Sequence, residues 1–207
     1  MQKIALIIAV CVTSILNAQN PYTKGMTKAQ ELFQSGKYDQ AVQLYERISS
    51  AEPDKWLPAY HAARIQVVTS FNIKDQKIIE ARLEKAQKFI DKVVALSPKN
   101  PEILVVQAQL YTVWVAYDGA AYGMMYSGKI SSLYQEAKAL APDNPRVLLS
   151  KAEWDMGSAR FFGQDIAPFC KDVERSLDLF ATFKTEIGFY PEWGEDKARQ
   201  ILKNCEK

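Results

Sequence analysis

The 207-residue chain contains one histidine, His61, and three cysteines. A single imidazole excludes any site built on two histidines. Neither charge sign dominates: 26 basic residues stand against 24 acidic ones, a net charge of +2. That balance gives no electrostatic case for nucleic acid as a partner. Glycine and proline number only nine each, and 48% of residues are hydrophobic. Collagen-like and disordered chains are thereby excluded. The phosphate-binding Gly-Lys-Ser/Thr loop is missing, and so is the Gly-x-Ser-x-Gly nucleophile turn. Carboxylates sit among lysines, as Glu80 and Glu84 do beside Lys85 and Lys88. That is the pattern of a solvated helix face rather than an acid–base pair. No catalytic residue, metal site or cofactor is expected.

Long apolar runs are also missing. The longest, Ile4 to Leu16, has 13 residues, whereas a membrane span needs about 20. Lys3 precedes it, and Asn17-Ala18 follows just before Gln19. A basic start, a short apolar middle and a small-residue end are the features of a secretory signal peptide over 1–18. The remaining 19–207 is expected to be a single periplasmic or secreted domain with no stable membrane span. Cys11 lies inside the apolar run and departs from a lipid-attachment motif, with Ile8 and Val10 in the wrong places. Removing 1–18 leaves Cys170 and Cys205. An even count in an oxidising compartment favours a disulfide. Both fall on apolar faces of successive helices joined by a turn at Gly188 to Pro191, so antiparallel packing would bring them together.

What the chain does have is a repeat. Leu96-Ser97-Pro98-Lys99-Asn100-Pro101 recurs 44 residues later as Leu140-Ala141-Pro142-Asp143-Asn144-Pro145. Pro53 stands one step earlier, after the same apolar ladder: Tyr45 and Ile48, then Ile90 and Val93, then Tyr134 and Ala137. Each of these prolines ends a helix because it has no amide hydrogen to continue the ladder. Asn100 and Asn144 suit the cap of the next helix, and Pro101 and Pro145 its first turn. No segment alternates with period two. The chain is therefore expected to be all-α, built from helix-turn-helix units.

The first unit carries a family resemblance. Ala29, Gly36, Tyr38, Ala41, Tyr45 and Pro53 fall in the register of the tetratricopeptide repeat, which this stretch resembles closely. The resemblance implies a right-handed α-solenoid of about four units with a C-terminal capping helix. Later units keep the small residue of the first helix at Ala63, Ala108 and Ala152. Units two and three are enlarged, by about one extra helical stretch in unit two. The fourth unit is expected to place one helix from Pro145 to about Arg160 and a second from about Ile166. A last helix over 193–206 would cover the open end. The final 65 or so residues, with Asn144-Pro145-Arg146, Phe162-Gly163 and Pro191-x-Trp193-Gly194, also resemble exported bacterial tetratricopeptide-like proteins of unassigned function.

Three candidate sites follow. In tetratricopeptide arrays the first helices line a concave groove that receives peptides. The corresponding places are Gln30, Tyr60, Arg64, Gln109, Arg146 and Glu153. With Arg64 and Arg146 as cations, this groove would suit an acidic peptide or a terminal carboxylate. The expected function is accordingly an exported, non-enzymatic scaffold or adaptor for a protein partner in the cell envelope. The second candidate is the stretch 111–126, which holds four tyrosines, a tryptophan and two methionines. Tyr111, Trp114 and Tyr117 there could bind a small ligand or glycan. Core packing is the preferred reading, because the enlarged unit has more apolar surface to bury, with Ala116, Gly119, Ala120 and Gly123 allowing close helix approach. The third, copper at Met124-Met125, lacks a histidine or cysteine alongside. His61, with no such partner either, is expected to be a packed or surface residue.

Overall fold

The computed structural model describes residues 20–205, so the expected signal peptide lies outside the described residues. Among them are nine α-helices and no strand. Four helix pairs follow one another: α1 (Pro21–Gln34) with α2 (Tyr38–Ala51), α3 (Leu57–Val68) with α4 (Gln76–Leu96), α5 (Pro101–Tyr117) with α6 (Gly119–Leu140), and α7 (Pro145–Phe161) with α8 (Ala167–Thr182). The ninth, α9 (Glu195–Cys205), packs on α8. None of the described helices is long and apolar enough to cross a membrane.

The junctions form as the proline and asparagine chemistry dictates. Helices α2, α4 and α6 each stop two residues before Pro53, Pro98 and Pro142. The residue before each proline takes nearly the same conformation, with φ of −123°, −140° and −145° and ψ of 71° to 73°. Proline excludes its predecessor from the helical region, so the three turns are alike. Asn100 and Asn144 then cap the next helices, accepting from the Glu102 and Arg146 amides at 3.0 Å. The turn from α1 to α2 runs through Gly36 at φ +75°. Lys37 N–H donates to the Leu32 carbonyl and Gly36 N–H to that of Phe33. This left-handed cap favours a residue without a Cβ.

The surplus length of the middle units does not make an additional helix. It lengthens α4 to 21 residues and α6 to 22, against 14 in α2, and adds a loop over 69–75. The small residues Ala29, Ala63, Ala108 and Ala152 are all buried. Helix α5 packs on both α3 and α7, so the first helices of successive units form one row. Both α3 and α5 are apolar nearly all round, as a row covered from two sides requires.

At the C-terminus a disulfide joins Cys170 of α8 to Cys205 of α9, with Cα atoms 6.0 Å apart. Ala198 on α9 is fully buried against this end. The last helix begins at Glu195 rather than at 193. Gly194 takes φ +118°, and a Cβ there would lie 2.6 Å from the Phe180 ring. The break turns Trp193 away from α9 and into the concave face.

Candidate functional site

The row of first helices presents one concave surface, and the chain itself divides it. Residues 183–193 cross the half formed by the N-terminal ends of α3, α5 and α7. Trp193 Nε1 donates to the Tyr60 hydroxyl at 2.9 Å, and Tyr190 Oη donates to Glu102 at 3.3 Å. Phe189 meets Tyr22 of α1 edge to face. Arg64 lies 4.5 Å from the Trp193 ring centre. The Arg146 guanidinium lies over the Phe183 and Tyr190 rings, at 4.7 and 5.2 Å. This segment thus touches all four units.

Beneath it sits a buried ion pair. Glu102 and Arg146 occupy equivalent places in successive repeats, 44 residues apart, so the translation from unit to unit sets them side by side. Glu102 is fully buried and Arg146 is 2% exposed. Arg146 Nε reaches both carboxylate oxygens, at 2.9 and 3.0 Å, and Nη2 donates at 2.7 Å. Asn144 Nδ2 adds a bond of 2.6 Å to the same carboxylate. Burial alone would push the Arg146 guanidinium down, but the bonds and charge of Glu102 hold it above its ordinary range.

His61 is tied to the same segment. Its Nε2 lies 2.8 Å from the Phe189 carbonyl. A carbonyl only accepts, so Nε2 carries the proton. The ring stacks on Tyr45 at 5.1 Å. Burial pushes its pKa down to about 4, against the stabilising Phe189 bond. A base depressed in the folded state favours folding while it stays neutral. That stability is complete above the unfolded pKa of about 6.5 and is lost as pH falls toward 4. The loss is at most about 3 kcal/mol, since the ring keeps a partly accessible edge. Urea denaturation at pH 7.5 and 4.5 should show a fall in stability that His61→Phe removes. Equal pH dependence in both proteins would contradict the assignment.

The other half of the concave face is open. A cleft of about 1140 Å³ lies among the end of α3 and the loop after it, α5 from Gln109 onward, α6 as far as Tyr134, α7 from Ser150 onward, and Lys197 of α9. Its walls include Val68, Phe71, Val115, Ala116, Met124, Trp154, Phe161 and Phe162. Phe161 and Phe162 are each 71% exposed and Met124 is 99% exposed at its rim. Large apolar side chains left in water side by side mark a binding surface rather than a core. The volume lies just above the usual range of small-ligand sites, which run to about 1,000 Å³. Gly123 and Gly157 line the walls, and a Cβ on either would meet nothing within 4 Å. Gly123 therefore leaves space instead of admitting a neighbouring helix.

The expected groove residues are split by this arrangement. Tyr60, Arg64 and Arg146 lie under the 183–193 segment, so the peptide groove expected there is already filled. Gln109 and Glu153 line the cleft. Gln30 is half-buried on α1. Tyr111 stacks on Tyr126 at 4.9 Å, and Trp114 packs on Tyr122 at 5.0 Å. These two and Tyr117 join the main core, and none of them lines the cleft, which uses the neighbouring α5 positions Thr112, Val115 and Ala116. Phe161, Phe162 and Lys197 are absent from the sequence-based candidates. The Phe161-Phe162-Gly163 run marks a helix end, but two adjacent phenylalanines at such an end were also the available signal of an exposed patch.

The paired helices, proline turns and stacked first helices define a tetratricopeptide-like α-solenoid. No family model matches the chain, and no curated protein does. Among solved structures it is similar to the HusA haemophore from Porphyromonas gingivalis, with a TM-score of 0.81 and 21% identity over 92% of this chain and 96% of that one. It is also similar to a thermophilic TPR protein from Thermus thermophilus, with a TM-score of 0.57 and 15% identity over 89% of this chain and 98% of that one.

Proposed function

We propose that the protein is an exported, non-enzymatic binding protein whose cleft takes a flat, largely apolar small molecule of the tetrapyrrole class. The observation that carries this reading is the open cleft rimmed by Phe161, Phe162 and Met124. Its dimensions and apolar walls suit the faces of an aromatic macrocycle. The similar haemophore supports the choice of ligand class, and the Cys170–Cys205 disulfide supports an oxidising compartment such as the periplasm. His61 lies under the 183–193 segment, so recognition rests on contact with the macrocycle faces rather than on an imidazole. An adaptor role through the concave groove is the weaker alternative, because the chain's own aromatic segment occupies that half.

Binding of metal-free protoporphyrin IX, followed by its absorbance and fluorescence, tests the reading. Gly157→Phe places a ring in the empty space of the cleft and removes a helix-interior glycine, which costs no helix propensity. Binding should fall at least tenfold with no loss of melting temperature, about 1.4 kcal/mol in affinity. Gly128→Phe, on α6 but outside the cleft, should bind as the wild type does. Equal binding by both variants would remove the cleft as the site.

A further inference from the structure

Among the described residues of the concave face, Arg64 is a cation without a counter-charge. The ion pairs all use other bases. Glu102 is taken by Arg146, and Glu153 has Lys197 at 3.7 Å. His61, with its pKa pushed down to about 4, is neutral at pH 7. Arg64, Arg146 and Lys197 thus share this face with Glu102 and Glu153, which leaves one positive charge over.

Arg64 is also poorly solvated. Its side chain is half-buried, and its Nε is buried with no hydrogen-bond partner among the described residues. The groups that cover it are aromatic, with the Trp193 ring centre at 4.5 Å and that of Phe33 at 6.0 Å. Ring faces attract a cation but supply no lone pair, so the N–H fork of the guanidinium is left without an acceptor. Burial holds Arg64 below its ordinary range, whereas Glu102 lifts Arg146 above it. An unpaired charge in such a place is costly, and an anion brought by a ligand offsets that cost on binding.

The repeat places this cation at the edge of the cleft. Arg64, Gln109 and Glu153 each follow the buried small residue of their unit, Ala63, Ala108 and Ala152. Helices α3, α5 and α7 pack side by side, so the three residues lie in one row across the concave face. Gln109 and Glu153 line the cleft, and so does Val68, one turn after Arg64 on α3. Arg64 therefore stands where the filled half meets the open one, beneath Trp193.

We infer that Arg64 holds a carboxylate of the ligand through its N–H fork, so that the acid-bearing edge of the macrocycle enters first, toward Gln109 and Trp193, and the apolar edge stays under Phe161 and Phe162. The inference rests on the cleft being the ligand site and adds the ionic anchor and the orientation. An arginine fork matches the two oxygens of a carboxylate, which a neutral ester does not reproduce.

Protoporphyrin IX and its dimethyl ester share one ring system and differ in the two carboxylates. At pH 7.5 the diacid is expected to bind the wild-type protein about tenfold more tightly than the ester, read by porphyrin fluorescence. Arg64→Met should bring that ratio to about twofold or less, leave ester affinity unchanged, and keep or raise the melting temperature, because it removes a buried charge that has no partner. Arg64→Lys keeps the charge without the fork and should fall between the two. Lys171→Met, which removes an exposed charge on α8 outside the cleft, should keep the wild-type ratio. Equal affinity for the two macrocycles in the wild type, an unchanged ratio in Arg64→Met, or an equal loss in Lys171→Met overturns the inference and leaves the cleft as the ligand site. No binding of either macrocycle overturns both.

Discussion

Replacing Glu102 by alanine is expected to lower stability by about 3–5 kcal/mol, because it leaves the Arg146 charge buried without its partner. Arg146 sits between two aromatic rings at 2% exposure, and its bonds to Glu102 are its ion pair. Asn144 and Tyr190 lose an acceptor in the same change. Urea denaturation of the single variant reads the full loss. Glu102→Leu combined with Arg146→Met should recover most of it, since an apolar pair of similar volume removes both charges together. The effect should extend to the 183–193 segment, whose Phe183 and Tyr190 pack against the guanidinium. A loss below about 1 kcal/mol would mean that the pair is hydrated and that the segment does not seal it.

Reducing the Cys170–Cys205 disulfide is expected to cost about 3–4 kcal/mol, the loop-closure entropy of a separation of 35 residues. The consequence is local. Helix α9 has 11 residues, too few to persist alone, and it holds Lys197 at the cleft. Cys170→Ala with Cys205→Ala should match the reduced wild type in melting temperature and should show early proteolysis after Thr182. Two reactive thiols in the denatured, unreduced protein would contradict the bond and weaken the case for export.

The repeat was legible because its signals are local. A proline stops a helix wherever it stands, and an asparagine two residues before the next amide caps it, so Pro98-Lys99-Asn100-Pro101 and Pro142-Asp143-Asn144-Pro145 determine their own turns. The cysteine pair was legible for a similar reason, since each falls on one apolar helical stripe. The segment over the concave face was not. Its bonds join residues 88 to 133 positions apart, and nothing near Phe189, Tyr190 or Trp193 distinguishes a covering segment from an ordinary core. The cleft was less legible. Two of the groove candidates, Gln109 and Glu153, lie on its walls, while none of the three residues picked from the aromatic stretch does. Helix α5, however, is apolar on every side, so periodicity could not tell the packed face of Tyr111 and Trp114 from the open face of Thr112 and Ala116.

The central claim is that the concave face is divided, one half filled by the chain and the other open to ligand. Hydrogen exchange of the protein, with and without saturating protoporphyrin IX, tests it most directly. Ligand should slow exchange in 109–119 and 150–162 and leave 183–193 as protected as before. Protection confined to 56–64 and 183–193, or none anywhere, would contradict it.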